Sequence, residues 1–150
     1  MIETASQRHL EAWARMRAAL WPGTAVEDHR AELARTIGAP DDRHIAFIAM
    51  TAGGEATGFI EGSLRFDYVN GCETSPVVFI EGVYVAPDRR RERIGRSLCE
   101  AVEAWGAAAG CREMASDATL SNAESHAFHA ALGFEETERV VCFRKAVAGT

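Results

Sequence analysis

The stretch VYVAPDRRRERIGRSL, residues 83–98, decides the fold because it joins a strand-like run to a helix-like pattern. Residues 83–85 close an apolar, β-branched run, Pro87 interrupts it, and Ile94 and Leu98 begin a stripe at helical spacing. A strand that passes into a helix in this way directs unpaired backbone N–H groups and the positive end of the helix toward one point. The stretch therefore predicts a site for a phosphate or pyrophosphate group.

Five arginines lie within eight residues at this junction, in a chain whose formal net charge is −6. Arginine forms charge-assisted hydrogen bonds with phosphate, so the cluster indicates a local anion site on an otherwise acidic protein. The alternative interpretation is a charged turn that only water solvates. The arginines are Arg89, Arg90, Arg91, Arg93 and Arg96.

Length and composition predict a single domain over residues 1–150, since 47% hydrophobic and 25% charged residues are typical of a globular protein. No apolar run approaches the ~20 residues that cross a membrane, and residues 1–10 lack the apolar core of a signal peptide. We therefore expect a cytoplasmic protein that does not bind membranes. The acidic charge argues against nucleic acid and favours a cationic partner.

The cysteines show no spacing of a metal site or of a disulfide framework. Because they stand far apart, we expect reduced, mostly structural thiols and no bound metal. They are Cys72, Cys99, Cys111 and Cys142.

Hydrophobic periodicity and turn residues predict ten elements in the order βααβββαβαβ. Adjacent strands with short connections indicate an antiparallel meander, and the later strand–helix–strand unit adds a parallel strand with a right-handed crossover. The expected fold class is α/β, with a mixed sheet and helices on both faces. The strands are expected at residues 2–5, 44–51, 56–68, 76–85, 113–117 and 137–147, and the helices at 10–20, 25–37, 94 to near Gly110, and 122–132. Gly71 is expected in the turn after the third strand, and Gly133 at the end of the last helix.

The arginine-rich junction resembles the acetyl-CoA motif of the GNAT superfamily, which reads Gln/Arg-x-x-Gly-x-Gly/Ala after the fourth strand. This chain has RRERIG at residues 90–95, so the leading Arg90 and the final Gly95 match. Arg93 stands where the family usually has its first Gly, and Gly tolerates a positive φ that Arg resists. The substitution keeps the backbone N–H donor and adds a cation near the phosphates.

A second stretch resembles the last helix and turn of the same superfamily. It contains Asn122, the pair Phe128 and His129, and the LGF sequence at residues 132–134. The resemblance implies that Asn122 contacts the pantetheine arm and that His129 protonates the leaving thiolate, a role usually held by Tyr. The alternative for His129 is a ring held in the core by a partner on its own helix.

The superfamily resemblance implies a GNAT fold whose central mixed, largely antiparallel sheet has six to seven strands. It also implies that acetyl-CoA is the co-substrate and that its pantetheine arm pairs with the strand at residues 83–85 like an additional strand. The residues that it assigns to the coenzyme are Val83, Val85, Arg90, Arg91, Arg93, Ile94, Gly95, Arg96, Ser97 and Asn122.

In more detail, the chain is similar to aminoglycoside 6'-N-acetyltransferases along nearly its whole length. That resemblance implies acetylation of the 6'-amine of aminoglycoside antibiotics, and hence resistance. It also implies a homodimer to which residues 137–147 contribute a strand, either exchanged with the partner or kept in their own subunit. The matching stretches include LWP (20–22), LRFDYVNG (64–71), FIEGVYV (79–85), ASD (115–117) and ALGFEETERVV (131–141).

Two carboxylates are candidates for attracting the ammonium of the acceptor and receiving its proton. Glu81 lies beside Gly82, where the family has a bulge, and Asp117 ends the following strand. The alternatives are a cross-strand ion pair for Glu81 and a helix cap for Asp117. Because a thioester is already activated and no Cys/His pair is recognisable, we expect direct attack in a ternary complex.

A polycationic acceptor requires carboxylates and aromatic faces. Each candidate alone fits a plainer interpretation, such as core packing for Trp21 or solvated charge for the glutamates. A GNAT enzyme for another polyamine or a peptide amine, and a non-catalytic acyl-CoA-binding protein, remain alternatives. The candidates are Trp21, Tyr68, Glu73, Glu81, Asp117, Glu135, Glu136 and Glu138.

Overall fold

A computed structural model describes residues 1–90 and 92–149. The chain divides into two compact units, Met1–Asp117 and Ala118–Thr150, and each is considered by itself. The expectation of a single domain over all 150 residues stays a prediction.

The first unit is built on a mixed sheet whose spatial order follows the chain. Its first four strands are antiparallel neighbours, and the fifth runs parallel to the fourth. This confirms the predicted mixed, largely antiparallel sheet. The strands are β1 (Ile2–Thr4), β2 (His44–Met50), β3 (Ala56–Arg65), β4 (Val77–Val85) and β5 (Met114–Ala115).

Helices cover both faces of this sheet. Successive side chains of β3 point to opposite faces, so the strand packs against a helix on each side. Phe59 joins the buried cluster formed with Trp13 and Leu33. Its neighbour Gly58 faces the opposite side, where the missing side chain leaves room for Leu98. The helices are α1 (Leu10–Leu20), α2 (Val26–Gly38) and α3 (Ile94–Ala108) in the first unit, and α4 (Ala123–Ala131) in the second. Over residues 1–90 and 92–149, no helix is both long and apolar enough to cross a bilayer.

Glycines follow two helices and lie in the turn after β3, as the sequence predicted. Gly110 after α3 and Gly133 after α4 have φ of 93° and 91°, and Gly71 in the turn after β3 has φ of 84°. Only a residue without a Cβ adopts these values at low cost, so each marks the end of its element.

Two predicted strands are too long by three residues each, and a further predicted strand is absent from the described residues. β3 ends at Arg65 rather than at residue 68, and β5 has two residues instead of five. Residues 137–147 form no strand, so the described part of the chain has five strands rather than six to seven. An apolar, β-branched segment becomes a strand only where its N–H and C=O groups meet a ladder partner, and sequence pattern does not supply that partner.

Candidate active site

The predicted anion site lies where β4 passes into α3. β4 ends at Val85, a 3-10 turn covers Pro87–Arg89, and α3 begins at Ile94. Arg93 precedes the helix with φ of 59° and ψ of 22°, in the left-handed region. The arginine that replaces the usual glycine therefore adopts a conformation that glycine favours, at a cost in backbone strain.

The arginine cluster surrounds the first turn of α3. The Arg90 Nε donates to the Val85 carbonyl oxygen at 3.1 Å, which ties the loop to the end of β4. Arg93, Arg96 and Ser97 are exposed there, whereas Gly95 is buried. Arg91, also assigned to the coenzyme, lies outside the described residues. Backbone N–H groups at a helix start lack intrahelical acceptors, so cations and N–H donors converge on this junction.

One edge of β4 is left without a ladder partner next to this junction. Val83 and Val85 pair with Ile60 and Gly58 of β3 on one side. On the other side, the parallel ladder with β5 covers only Val78 and Phe79, so the described strands leave the edge uncovered beyond Phe79. An extended arm that offers amide groups can pair with such an edge like an added strand.

A β-bulge brings Glu81 to the surface of the sheet. Glu61 of β3 is the register partner of Gly82, and Gly62 is the partner of Ile80, so Glu81 is the additional residue on β4. A bulge changes the alternation of side chains along its strand, and here Gly82 faces α1, in contact distance of Trp21. The bulge that the sequence resemblance predicted beside Gly82 is present.

The carboxylate of Glu81 is held by two neighbours on β3. Ser63 Oγ donates to Glu81 Oε1 at 2.7 Å, and Arg65 Nη2 donates to the same oxygen at 2.8 Å. The Arg65 guanidinium lies 3.5 Å from the centre of the Phe79 ring, which fixes its position. The cross-strand ion pair considered for Glu81 is therefore formed, and it leaves the carboxylate at the surface, where a cation can reach it.

Asp117 lies just beyond β5 and is exposed. The parallel register pairs Phe79 with Ala115, so continuing it by two residues sets Asp117 level with Glu81. The alternative that Asp117 caps the next helix is wrong, because Asn122 occupies the cap position of α4. Glu81 thus lies on β4, and Asp117 follows the neighbouring strand β5, two residues after the ladder between them has ended.

Trp21 is half-buried against the bulge. A Cβ on Gly82 would lie 2.4 Å from Trp21 Cζ2, so the ring is seated where glycine has no side chain. The ring also meets Phe59 edge-on at 6.1 Å between centroids. Trp21 therefore packs in the core and also lies against Gly82, the residue next to Glu81.

Sequence reasoning missed a buried ion pair close to Trp21. Arg17 Nη2 donates to Glu61 Oε1 at 3.0 Å, and Trp13 Nε1 donates to Glu61 Oε2 at 2.9 Å. Burial raises the pKa of the Glu61 carboxyl above its usual value, and the charge of Arg17 opposes that rise. The signal available in the sequence was a single carboxylate, Glu61, within the apolar run of β3.

In the second unit, the Asn122 side chain accepts a hydrogen bond from the Ser125 N–H at 3.1 Å and caps α4. His129 Nδ1 donates to the Ser125 carbonyl oxygen at 2.7 Å, and the ring meets Phe134 edge-on. The helix partner considered for His129 is therefore present. With the hydrogen on Nδ1, the ring donates from Nε2 only as an imidazolium.

The remaining predicted acceptor residues are exposed, two in the first unit and three in the second. Tyr68 is 77% exposed, and the Glu73 backbone N–H donates to Glu113 Oε1 at 2.9 Å, which anchors its loop to the residue before β5. Glu136 pairs with Arg139, whose hydrogen bond and charge lower the pKa of the Glu136 carboxyl. Glu135 and Glu138 are exposed in the second unit.

Burial disfavours the thiolate form of three of the four cysteines. Cys99 is 4% exposed within α3, and burial raises the pKa of its thiol to about 12. Burial also raises the thiol pKa of Cys72 and of Cys111. Among residues 1–90 and 92–149, no group of three or more His, Cys, Asp and Glu side chains is arranged to hold a metal ion.

Residues 10–134 match the Acetyltransferase (GNAT) family. The chain is 46% identical over 147 residues to aminoglycoside N(6')-acetyltransferase type 1 of Serratia marcescens, covering 98% of this chain and 99% of the relative. It is 48% identical over 144 residues to the Salmonella enteritidis protein of the same name, covering 96% and 97%.

Solved structures that resemble this chain include further aminoglycoside acetyltransferases. The chain superposes with a TM-score of 0.90 and 46% identity on AAC(6')-Iy in complex with the bisubstrate analogue CoA-S-monomethyl-acetylneamine, covering 98% of each chain. It superposes with a TM-score of 0.92 and 41% identity on AAC(6')-Ih from Acinetobacter baumannii, covering 99% of each. The chain belongs to the GNAT family of acetyltransferases.

Proposed function

We propose that this protein transfers the acetyl group of acetyl-CoA to the 6'-amine of aminoglycoside antibiotics and so confers resistance to them. The observation that carries the proposal is the 46% identity over 147 residues to an aminoglycoside N(6')-acetyltransferase. The open edge of β4 beside the start of α3 supports acetyl-CoA as the co-substrate, because both features suit an extended arm that ends in a pyrophosphate. All 150 residues serve this one function as a single domain.

The coenzyme is assigned to the arginine-rich junction. Backbone N–H groups of Ile94, Gly95 and Arg96 receive the pyrophosphate, and the arginine side chains add charge-assisted bonds. The pantetheine arm pairs with β4 at Val83 and Val85. Further contacts are proposed from Arg90, Arg91, Arg93, Ser97 and Asn122.

The reaction is a direct attack on the thioester. The lone pair of the 6'-amine forms a bond to the carbonyl carbon, and the C–S bond then breaks to release the CoA thiolate. A backbone N–H on the Val83 strand polarises the carbonyl oxygen. The amine proton passes to a carboxylate, and His129 is the proposed donor to the thiolate. Burial of Cys99 and its raised thiol pKa support a path without an acyl-cysteine.

Glu81 and Asp117 share the work of attracting and deprotonating the acceptor ammonium, which is largely protonated at neutral pH. Glu81 is the better candidate for the base, because the bulge presents it and Ser63 and Arg65 restrain its carboxylate. Arg65 already neutralises Glu81, so an arriving ammonium must share or displace that contact. Asp117 has no comparable restraint among its hydrogen bonds and suits the role of a second cation contact.

The acceptor is held by carboxylates and aromatic faces. Trp21 lies beside the bulge and supplies an aromatic surface for a sugar ring or an ammonium group. Tyr68 offers a second, more exposed ring. The other proposed acceptor contacts are Glu73, Glu135, Glu136 and Glu138.

The proposal extends to a cytoplasmic homodimer. Residues 137–147 are exposed and apolar in part, with Val140 58%, Val141 78% and Phe143 91% exposed. Large apolar side chains in an extended segment support pairing with a second copy of the chain, as in strand exchange.

The function is tested by thiol release from acetyl-CoA with kanamycin, tobramycin and spermidine as acceptors. Rapid turnover of both drugs and little turnover of spermidine is the expected result. Turnover of spermidine alone would instead identify a polyamine enzyme. Coenzyme binding with no turnover of any amine would identify an acyl-CoA-binding protein without catalysis.

The two carboxylates are tested by replacing each with alanine. Glu81→Ala and Asp117→Ala should each lower kcat/KM for kanamycin by at least ~10-fold, the low end for losing a positioned base or cation contact. Glu100→Ala is the matched control, since Glu100 is an exposed carboxylate on α3. Parental efficiency in both site variants would show that the acceptor binds elsewhere.

A further inference from the structure

A buried ion pair lies beneath the bulge and takes no part in the chemistry described above. Arg17 of α1 and Glu61 of β3 approach to 2.8 Å between Nε and Oε2, with side chains 10% and 15% exposed. Trp13 Nε1 donates to the same carboxylate oxygen at 2.9 Å. A second carboxylate, Glu32, lies 3.5 Å from Arg17 Nη1.

Stability alone does not account for such a pair. Removing two charges from water costs several kcal/mol, and well-packed apolar residues of similar volume often stabilise a fold equally well. A buried pair has fixed geometry, however, because each partner is oriented by hydrogen bonds. Arg17 and Glu61 therefore hold particular neighbours in place, and those neighbours indicate their role.

The first neighbour is Trp21. The Arg17 guanidinium lies 5.1 Å from the centroid of the Trp21 ring, one helical turn further along the chain. The far edge of that ring is seated on Gly82, where a Cβ would come within 2.7 Å of Cη2. Arg17 thus connects the ion pair to the ring that covers the bulge.

The second neighbour is the bulge itself. Glu61 is the register partner of Gly82, and Glu81 is the additional residue that precedes Gly82. The ion pair therefore restrains the bulge from both sides, through the opposing residue of β3 and through the ring of Trp21 above it. Without these restraints, the backbone at Gly82 is free to shift and to turn the Glu81 carboxylate.

We infer that Arg17 and Glu61 are positioning residues, which fix Trp21 over Gly82 and thereby aim Glu81 at the acceptor amine. The inference rests on the proposed function. Neither residue is among the proposed coenzyme contacts, so their effect is expected in the acceptor reaction and not in coenzyme binding. A geometric shift of this kind lowers kcat, since misplacement by about 1 Å costs up to about 100-fold in rate.

The test replaces both charges with apolar residues, Arg17→Met with Glu61→Leu, so that no unpaired charge stays buried. The variant should unfold near the parental temperature but lose about 10-fold in kcat with kanamycin, with KM for acetyl-CoA changed by less than about 2-fold. The matched control is Arg30→Met with Glu11→Gln, an exposed pair with a 2.8 Å contact between α2 and α1, which should keep parental kinetics. Arg17→Lys should give an intermediate kcat and serves if the double variant fails to fold.

A second readout does not depend on activity. In protein labelled with 5-fluorotryptophan, the resonance of Trp21, assigned with Trp21→Phe, should shift or broaden in the double variant and stay in place in the control pair. Parental kcat, or an unmoved Trp21 resonance, in a folded double variant would overturn the inference. Failure of the proposed function would look different, because the parental protein itself would then not acetylate kanamycin, while the Trp21 resonance would still test the positioning.

Discussion

At the scale of single residues, Arg93 in the loop before α3 adopts a left-handed backbone conformation that glycine would favour. Arg93 has φ of 59° where the family motif has glycine. For most L-residues the left-handed region is disfavoured, so the surrounding structure must impose it. The gain is one more guanidinium at the start of a helix that is proposed to hold a pyrophosphate.

Arg93→Gly is therefore expected to stabilise the protein. Relief of left-handed strain is worth about 1–2 kcal/mol, and the larger unfolded-state entropy of glycine removes about 0.5–1 kcal/mol of that gain. Urea denaturation should show a higher midpoint for the variant. Arg93→Ala is the control, because it removes the cation and keeps the strain. Both variants should raise KM for acetyl-CoA alike, and a lower midpoint for Gly than for Ala would show that Arg93 is unstrained.

At the scale of elements, α3 approaches the sheet closely because glycines face it. A Cβ on Gly106 would lie 2.6 Å from Val78 Cβ, and one on Gly62 would lie 2.9 Å from Val102 Cγ1. The absence of side chains at Gly106 and Gly62 lets α3 pack close to the sheet. In this position the first turn of α3 lies near the end of β4. The position of the anion site thus depends on packing well away from the arginines.

Gly106→Ala should lower the free energy of unfolding by about 1–2 kcal/mol. Overpacking costs about 1–3 kcal/mol, and better helix propensity returns up to about 1 kcal/mol. Gly38→Ala, on α2 with no atom within 4 Å of the added Cβ, isolates the propensity and should instead raise stability by about 0.5 kcal/mol. Equal urea midpoints for the two variants would contradict the close packing of α3.

At the scale of the whole molecule, the charge distribution suits the two proposed substrates, which have opposite charge. The formal net charge is −6, yet five arginines are concentrated in residues 89–96. A negative protein attracts a polycationic acceptor over distances of a Debye length, while a local basic cluster still holds an anionic coenzyme. Long-range attraction acts on the rate of encounter rather than on the bound complex.

Salt should therefore weaken the reaction with kanamycin at low drug concentration. Raising ionic strength from 0.05 to 0.5 M is expected to lower kcat/KM for kanamycin several-fold, since the Debye length falls from about 14 to about 4 Å. The kcat at saturation by both substrates is the internal control and should change little. A kcat/KM that is independent of salt would exclude steering by the net charge.

The local sequence pattern was sufficient to predict those helices and strands whose type follows from their own residues. The helical stripe from Ile94 and the β-branched run before Pro87 correctly predicted α3 and β4, and Gly110 marked the end of the helix. The reason is that periodicity of apolar residues reports which face is buried, whatever lies against it. Glu81 was selected by resemblance and Asp117 by its position after the next strand, and their roles stay predictions.

Contacts between distant parts of the chain lay beyond such patterns. The hydrogen bonds from Trp13 and Arg17 to Glu61 join residues that are 48 and 44 positions apart in the chain. The sequence pattern placed Trp13 and Arg17 on a helix and Glu61 inside a strand, and it did not connect them. The segment 137–147 was expected to be a strand, yet it has no ladder partner in the described sheet. Whether a β-prone segment pairs depends on the edge available to it, which is a property of the fold.

By itself, the sequence determined the basic junction and the order of helices and strands as far as α4, because each follows from residues close together in the chain. Only the tertiary structure decided that Glu81 is the additional residue of a bulge and that Trp21 is seated on Gly82. The physical reason is that register and side-chain contact are set by packing among several elements at once. No single segment carries that information.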